Sequence, residues 1–168
     1  QDRQQWLNKA HRWLRTSWAK LTARGTMAVV TCHFNPQSYQ RLAENYRIFR
    51  DALGSLPLYT AEASFDGAFV SDGPAKIEAS ERHVMWQKER LLNLVIESLP
   101  AKYDRVAWLD ADVVFRRPDW YDAASKMLDE CSVIQLAESV VTNGREWKMA
   151  AAVGFEQPCK YGYAWAAR

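Results

Sequence analysis

A short, almost uninterrupted apolar segment at residues 27–34 is the feature that most restricts what this chain can fold into. The segment includes β-branched Val29 and Thr31, and the pair Asn35-Pro36 follows it. β-Branched residues favour extended backbone, and a strand without a polar face has to be covered on both sides. We therefore predict an interior strand of a sheet that carries helices on both faces.

Helical and extended patterns alternate after this strand. Apolar residues recur at spacings of three and four in some segments, and short apolar or β-branched runs mark others. The predicted helices cover residues 39–53, 84–99 and 119–129, and the further strands cover residues 58–65, 105–109, 132–136 and 161–167. Residues 66–80 are predicted to form a loop, and residues 138–160 are ambiguous. The alternation predicts an α/β fold with a mainly parallel sheet, right-handed crossovers and flanking helices.

The first residues form a pattern of their own. Tryptophan and leucine side chains recur at helical spacing in residues 3–24, with basic side chains between them. We predict an amphipathic helix at residues 1–25 and a second unit at residues 26–168. Such a helix either packs on its own domain or lies on an anionic membrane, so peripheral membrane contact through residues 3–24 is an alternative. The basic residues cluster only here, and nucleic acid is not an expected partner.

Cysteine usage and hydropathy restrict the compartment. The three cysteines, Cys32, Cys131 and Cys159, lie far apart in the sequence. An odd, sparse set argues against a disulfide framework and for a reducing compartment, and the absence of clustered Cys or His argues against zinc. No run of about 18 apolar residues occurs, and the start does not resemble a signal peptide. We therefore expect a cytoplasmic protein, with membrane association as an addition through the first helix.

Two aspartates follow the apolar strand Arg105–Leu109 directly, in the segment Asp110-Ala111-Asp112. Ligands of open α/β sheets bind beyond the carboxyl ends of the strands. Carboxylates in an apolar setting need compensation, and a hard divalent cation such as Mg2+ or Mn2+ provides it. A spacing of two along extended backbone would direct both side chains to one side. The pattern therefore predicts a metal site that could bridge a diphosphate.

Two neighbouring motifs carry a family resemblance. They are the segment WQKERLLN at residues 86–93 and the segment YDRVAWLDAD at residues 103–112. Together they resemble the GT-A class of glycosyltransferases, and most closely its galactosyltransferase-like members, in which an Arg/Lys-x-x-Leu-Leu-Asn helix precedes the Asp-x-Asp strand. The opening VVTCHFN at residues 29–35 and the closing GYAWAAR at residues 162–168 extend the resemblance over residues 27–168.

The resemblance implies a GT-A nucleotide-sugar-binding domain at residues 26–168. Its donor would be a nucleotide-diphosphate sugar, with UDP as the expected nucleotide, and the sugar would be transferred to an acceptor hydroxyl, as in hexosyltransferases. It implies Mn2+ or Mg2+ held mainly by Asp112. Asp110 would share the metal and contact the ribose or the sugar of the donor.

Further site residues follow from the same resemblance. His33 and Asn35 would lie beside the nucleotide, Glu62 would contact the base or ribose, and Arg90 would approach the diphosphate. Trp165 is a possible stacking platform on the acceptor side. Four of these residues have a structural alternative. His33 would be a hydrogen-bonded histidine and Glu62 a carboxylate on the solvent face of a strand. Arg90 would form an ion pair on the surface of its helix, and Trp165 would be a core aromatic.

The sequence also departs from the family pattern. Family members carry a later acidic residue that acts as the base in inverting enzymes, and often a later His ligand to the metal. Neither can be matched before Arg168, so the catalytic base is expected beyond that residue. Lys88 is predicted to face solvent.

Two functions are alternatives to a glycosyltransferase. One is a non-catalytic or truncated nucleotide-sugar-binding domain. The other is a nucleotidyltransferase, which is less favoured because residues 31–38 lack the glycines of a triphosphate loop.

Overall fold

The structure is a computed structural model that describes residues 25–85, 87–137, 139–142, 145–148 and 164–168. Several sequence features lie outside these described residues, namely the predicted helix at residues 3–24, Trp86, Cys159, the Asn143-Gly144 turn and residues 161–163 of the last predicted strand. The domain boundary near Gly25 therefore stays a prediction.

Helices separate most of the strands between residues 27 and 135, as predicted, but not all of them. Its helices are α1 (Gln40–Leu53), α2 (Lys88–Ser98) and α3 (Trp120–Glu130), with a 3-10 turn at Glu81–His83. Its strands are β1 (Met27–Phe34), β2 (Leu58–Ser64), β3 (Ala75–Glu78), β4 (Arg105–Leu109), β5 (Val133–Gln135), β6 (Ser139–Thr142), β7 (Arg145–Lys148) and β8 (Ala164–Ala167).

A six-stranded mixed sheet organises these elements. Its strand order is β3-β2-β1-β4-β8-β5. The pairs β3-β2, β2-β1 and β1-β4 are parallel, whereas β8 runs antiparallel to both β4 and β5. Strands β6 and β7 form a separate antiparallel pair. The predicted α/β class with a mostly parallel sheet is therefore confirmed.

Helices cover both faces of the sheet, because β1 directs apolar side chains to each. On one face, Met27 and Val29 of β1 pack with Phe49 of α1 and Leu128 of α3. On the other face, Val30 packs with the apolar side of α2. All five of these side chains are buried, which leaves β1 without a solvent face, as the apolar run predicted.

The change of helix face creates a switch point between β1 and β4. Helix α1, which leads from β1 to β2, lies on one face, and α2, which leads to β4, lies on the other. The two parallel strands therefore lie side by side where the strand order reverses, which is the place at which ligand sites form in open α/β sheets. The buried Thr31 hydroxyl donates to the carbonyl oxygen of Leu109 at 2.8 Å and joins the two strand ends.

The structure corrects the prediction that residues 66–80 form a loop. Strand β3 lies within this segment and pairs with β2, with Ala61 opposite Ala75 and Ser64 opposite Glu78. The strand is short and lies at the edge of the sheet, and it carries two charged residues among four. Edge strands of this kind lack a continuous apolar pattern, so pairing with β2, rather than local sequence, forms it.

The second helix is shorter than the predicted residues 84–99. Helix α2 begins at Lys88, and a 3-10 turn precedes it. In that turn the Ser80 backbone N–H donates to Nδ1 of His83 at 3.1 Å.

The ambiguous segment at residues 138–160 contains an antiparallel pair of strands, β6 and β7. Residues 138, 143–144 and 149–160 of the segment lie outside the described residues. Among the helices that the structure describes, none has the length and apolar character needed to cross a bilayer.

Burial along α1 predicts sharply different costs for neighbouring substitutions. Phe49 is fully buried, whereas the preceding Ile48 is 59% exposed. We expect Phe49→Ala to lower the free energy of unfolding by about 3–5 kcal/mol, because it leaves a cavity against Val29. Ile48→Ala, the matched control, should change it by less than about 0.5 kcal/mol. Urea unfolding followed by circular dichroism measures both, and equal effects would contradict the packing described for α1.

Candidate functional site

The Asp110-Ala111-Asp112 segment forms a turn at the carboxyl end of β4. The Val113 N–H donates to the carbonyl oxygen of Asp110 at 3.2 Å. The assumption of extended backbone through this segment was therefore wrong, because strand pairing stops at Leu109 and the chain leaves the sheet. The carboxylates still interact. Burial raises the pKa of Asp110 above its ordinary value, and the negative charge of Asp112 adds to that rise.

Among the described residues, Lys88 forms an ion pair with this turn. Its ammonium group donates to a carboxylate oxygen of Asp110, and the two side chains are 18% and 24% exposed. The prediction that Lys88 faces solvent was wrong. Lys88 shares a helix face with Leu91 and Leu92, which pack onto the sheet, so its side chain is directed toward the strand ends. The bond to Lys88 opposes the rise in the pKa of Asp110.

Arg90, the cation predicted to approach the diphosphate, is exposed. Successive helical residues are turned by about 100°, so Arg90 lies on the side of α2 opposite Lys88. Arg90 makes no ion pair with any residue in the described ranges, including Glu89 and Glu97. The structure does not bring Arg90 to Asp110, and its role toward a diphosphate stays a prediction.

Cys32 completes this side of the edge, and the sequence motifs did not single it out. It precedes His33 in β1 and lies on the α2 face of the sheet. Burial raises the pKa of its thiol to about 11; the charge of Lys88 lowers it, and the charge of Asp110 raises it further. The thiol is therefore protonated at neutral pH, which argues against a thiolate nucleophile. The strand register could have identified Cys32. Val30 of β1 pairs with Trp108 of β4, and Cys32 and Asp110 each lie two residues further along the chain.

His33 lies on the other face of the sheet, toward α1. It is 5% exposed, and its ring is 5.3 Å from that of Tyr46. Burial lowers the pKa of His33, and the neighbouring Glu62 carboxylate partly opposes this shift. The structure therefore separates His33 from the Lys88–Asp110 pair by the thickness of the sheet, and its predicted contact with a nucleotide stays a prediction.

Asn35 holds the turn between β1 and α1. Its side-chain oxygen accepts the Tyr39 N–H at 2.9 Å, and its amide nitrogen donates to the Tyr39 carbonyl at 3.0 Å. The turn includes Ser38, which has a left-handed φ of 50°. The amide thus shapes the loop that follows β1. A nucleotide contact for Asn35 stays a prediction.

Glu62 is a buried clamp for the loop after β2. It is 2% exposed, and its two carboxylate oxygens accept the N–H groups of Val70 at 2.8 Å and Ser71 at 2.7 Å. The alternative that placed Glu62 on the solvent face of its strand was wrong, because the loop crosses over it and supplies the hydrogen bonds that a buried carboxylate requires. Gly73 permits this crossing, since a Cβ there would lie 2.2 Å from the Thr60 oxygen.

The loops after β1 and β2 are joined at their tips by Asp66. Its carboxylate accepts hydrogen bonds from the Ser38 hydroxyl at 3.3 Å, the Ser64 hydroxyl at 3.0 Å and the Ala68 N–H at 3.0 Å. The Ala68 and Ser64 bonds lower the pKa of Asp66, with a smaller contribution from Ser38. Both loops therefore form one connected rim beside the strand ends.

Trp165 lies at the same end of the sheet as the aspartates. It pairs with Trp108 across the antiparallel β4-β8 ladder, one residue from the Leu109–Ala164 pair. Directly opposed residues share a face, so the two tryptophans lie side by side, and Trp165 is half-buried. A stacking role toward an acceptor stays a prediction.

The donor set at the turn is small but suits a hard cation. In the part of the chain that the structure describes, no three His, Cys, Asp or Glu side chains converge to hold a metal. Mg2+ in nucleotide sites takes one or two carboxylates and completes its shell with phosphate oxygens and waters. Exposed Asp112, with Asp110 beside it, meets that requirement, and Lys88 occupies one oxygen of Asp110.

A concavity lies away from the aspartate turn. A cavity of about 390 Å3 opens between the end of α1 and the segment that enters α3, lined by residues including Leu53, Leu56, Trp120 and Tyr121. The cavity includes none of the predicted site residues.

Comparisons with known proteins return no relative: no protein-family model, curated protein or solved structure matches this chain. A functional assignment therefore rests on the residues and geometry at the carboxyl edge of the sheet.

The clamp made by Glu62 predicts the effect of an isosteric change. Glu62→Gln replaces one acceptor oxygen by a donor, so the N–H of Val70 or Ser71 loses its partner. We expect the free energy of unfolding to fall by about 1.5–3 kcal/mol, and amide exchange in residues 66–74 to accelerate. Glu78→Gln, on the exposed end of β3, is the matched control and should retain wild-type exchange. Unchanged exchange in the Glu62 variant would contradict the clamp.

Burial of His33 predicts a dependence of stability on pH. Because its pKa in the folded chain lies below the unfolded value of about 6.5, the unfolded chain binds more protons as pH falls through 6.5. Stability should therefore be lost below that pH and retained above it. We expect His33→Gln to lose less unfolding free energy than the wild type between pH 7.5 and pH 5.5. Urea unfolding at both pH values measures the difference, and parallel losses would contradict the prediction.

Proposed function

We propose that this chain is a metal-dependent glycosyltransferase domain of the GT-A type that binds a nucleotide-diphosphate sugar, with UDP as its nucleotide, and transfers the sugar to an acceptor hydroxyl. The observation that carries the proposal is the position of Asp110 and Asp112. They form the turn at the carboxyl end of β4, next to β1, at the switch point of the sheet. Ligands of open α/β sheets bind at this place.

The state of the two carboxylates supports metal binding by this turn. Asp112 is exposed and forms no hydrogen bond or ion pair within the described ranges, so its oxygens are accessible to a cation. Asp110 is half-buried and oriented by Lys88. The hydrogen bond from Thr31 to Leu109 holds the strand end that carries them. Together these contacts support a turn of defined geometry with one accessible ligand.

The reaction assigns separate roles to the residues of this edge. A bound divalent cation would neutralise charge on the diphosphate as it leaves. The acceptor oxygen forms a bond to the anomeric carbon while the bond from that carbon to the diphosphate oxygen breaks, and the acceptor proton passes to a base. Asp112 and Asp110 bind and orient the donor side. Activation of the acceptor is not assigned to any described residue.

Isosteric removal of one carboxylate charge tests the proposal. We expect Asp112→Asn to weaken Mn2+-dependent binding of UDP-sugars by at least about tenfold, equivalent to roughly 1.4 kcal/mol, because a metal ligand is lost. Isothermal titration calorimetry with UDP-glucose and UDP-galactose, with Mn2+ and with EDTA, measures it. Asp51→Asn, an exposed change at the far end of α1, is the matched control and should bind as the wild type does.

Two results would count against the proposal. Unchanged binding by the Asp112 variant would remove the aspartate turn as the metal site. Absence of binding by the wild-type chain, in Mn2+, to UDP-, GDP- and dTDP-sugars would remove the nucleotide-sugar assignment. A transfer and hydrolysis assay with the same donors then separates a catalytic domain from one that only binds.

A further inference from the structure

The contact between Lys88 and Asp110 has a consequence for how a metal would enter the site. The Lys88 ammonium group donates to Asp110, and the two side chains are only 18% and 24% exposed. A partly buried pair is screened less by water and salt than a surface pair. Part of the carboxylate coordination that a cation would use is therefore already occupied by a cation that belongs to the chain.

Because of the position of Lys88 in α2, its contact with Asp110 depends on the negative charge of that carboxylate. Lys88 is the first residue of the helix. The amino end of a helix carries a partial positive charge, which disfavours a cation there. The carboxylate of Asp110 offsets that repulsion. A divalent ion bound to Asp110 would reverse the balance, because Lys88 would then face positive charge from both the ion and the helix end.

We propose that Lys88 occupies the cation position at Asp110 in the ligand-free chain and moves to the diphosphate oxygens when metal and nucleotide bind together. This inference rests on the proposed function. A lysine is a suitable partner for phosphate, since its ammonium group donates up to three hydrogen bonds as a point charge. Lys88 thereby opposes the metal alone and favours the metal with its diphosphate.

Coupled binding is the measurable consequence. Binding free energies are linked, so a nucleotide that removes Lys88 from Asp110 raises the affinity for metal by the same factor by which metal raises the affinity for nucleotide. Metal ions would therefore bind weakly on their own, and nucleotide would recruit them. Lys88 would therefore have an effect on metal affinity that a merely structural lysine would not have.

Lys88→Met tests this inference with Mn2+ alone as the first probe. Methionine keeps much of the length of the side chain and removes the charge. We expect the variant to bind Mn2+ at least about fivefold more tightly than the wild type does, and to bind UDP in saturating Mn2+ at least about fivefold more weakly. Lys102→Met is the matched control, because Lys102 lies over the Tyr103 ring near the amino end of β4. Electron paramagnetic resonance of free Mn2+ and calorimetry give the two affinities.

The outcomes separate this inference from the proposed function. Mn2+ affinity in Lys88→Met that equals or falls below the wild-type value overturns the role of Lys88, whatever UDP does. Failure of the wild-type chain to bind UDP in Mn2+ overturns UDP as the nucleotide of the proposed function. The comparison of Mn2+ affinities without nucleotide still decides whether Lys88 occupies the cation position at Asp110. Lys88→Gln is a second neutral variant with the same expected direction, and circular dichroism verifies the fold of each.

Discussion

The burial of β1 on both faces is the constraint on which the rest of the structure depends. A strand with no solvent face needs neighbours on both sides and a helix layer above and below. Strands β2 and β4 supply the neighbours, α1 and α3 cover one face, and α2 covers the other. Because the helices that flank β1 lie on opposite faces, the carboxyl ends of β1 and β4 form the switch point of the sheet. The candidate site therefore follows from how the core is packed.

Charge compensation distinguishes the residues along that edge. Glu62 accepts hydrogen bonds from the loop that passes over it, and the exposed Asp66 accepts them from Ala68 of its own loop and from Ser38 of the neighbouring loop. Asn35 holds the backbone of the turn after β1. Asp110 is compensated by Lys88. Asp112 is exposed and makes no hydrogen bond or ion pair with any described residue. Polar residues beside a strand end thus divide into those that support loops and those that remain accessible for a ligand.

Local sequence predicted the central strands well and the edges poorly. The bounds of β1 and β4 were confirmed, because each is a continuous apolar run that ends at a polar residue or a breaker. Strand β3 was missed, because a short half-exposed strand has no apolar pattern of its own. The antiparallel direction of β8 could not be read from the sequence, because it depends on the path of the chain between β5 and β8 rather than on the residues of the strand.

The sequence by itself determined the α/β class, the strand that carries the aspartates and the position of Asp110 and Asp112 at its end, since periodicity and breakers act over neighbouring residues. Tertiary structure alone decided which residues meet there. Lys88 and Cys32 join Asp110 on one face, while His33 and Glu62 lie on the other. Contacts of this kind join side chains that are 22 or more residues apart, and only the pairing of strands and the face covered by each helix bring them together.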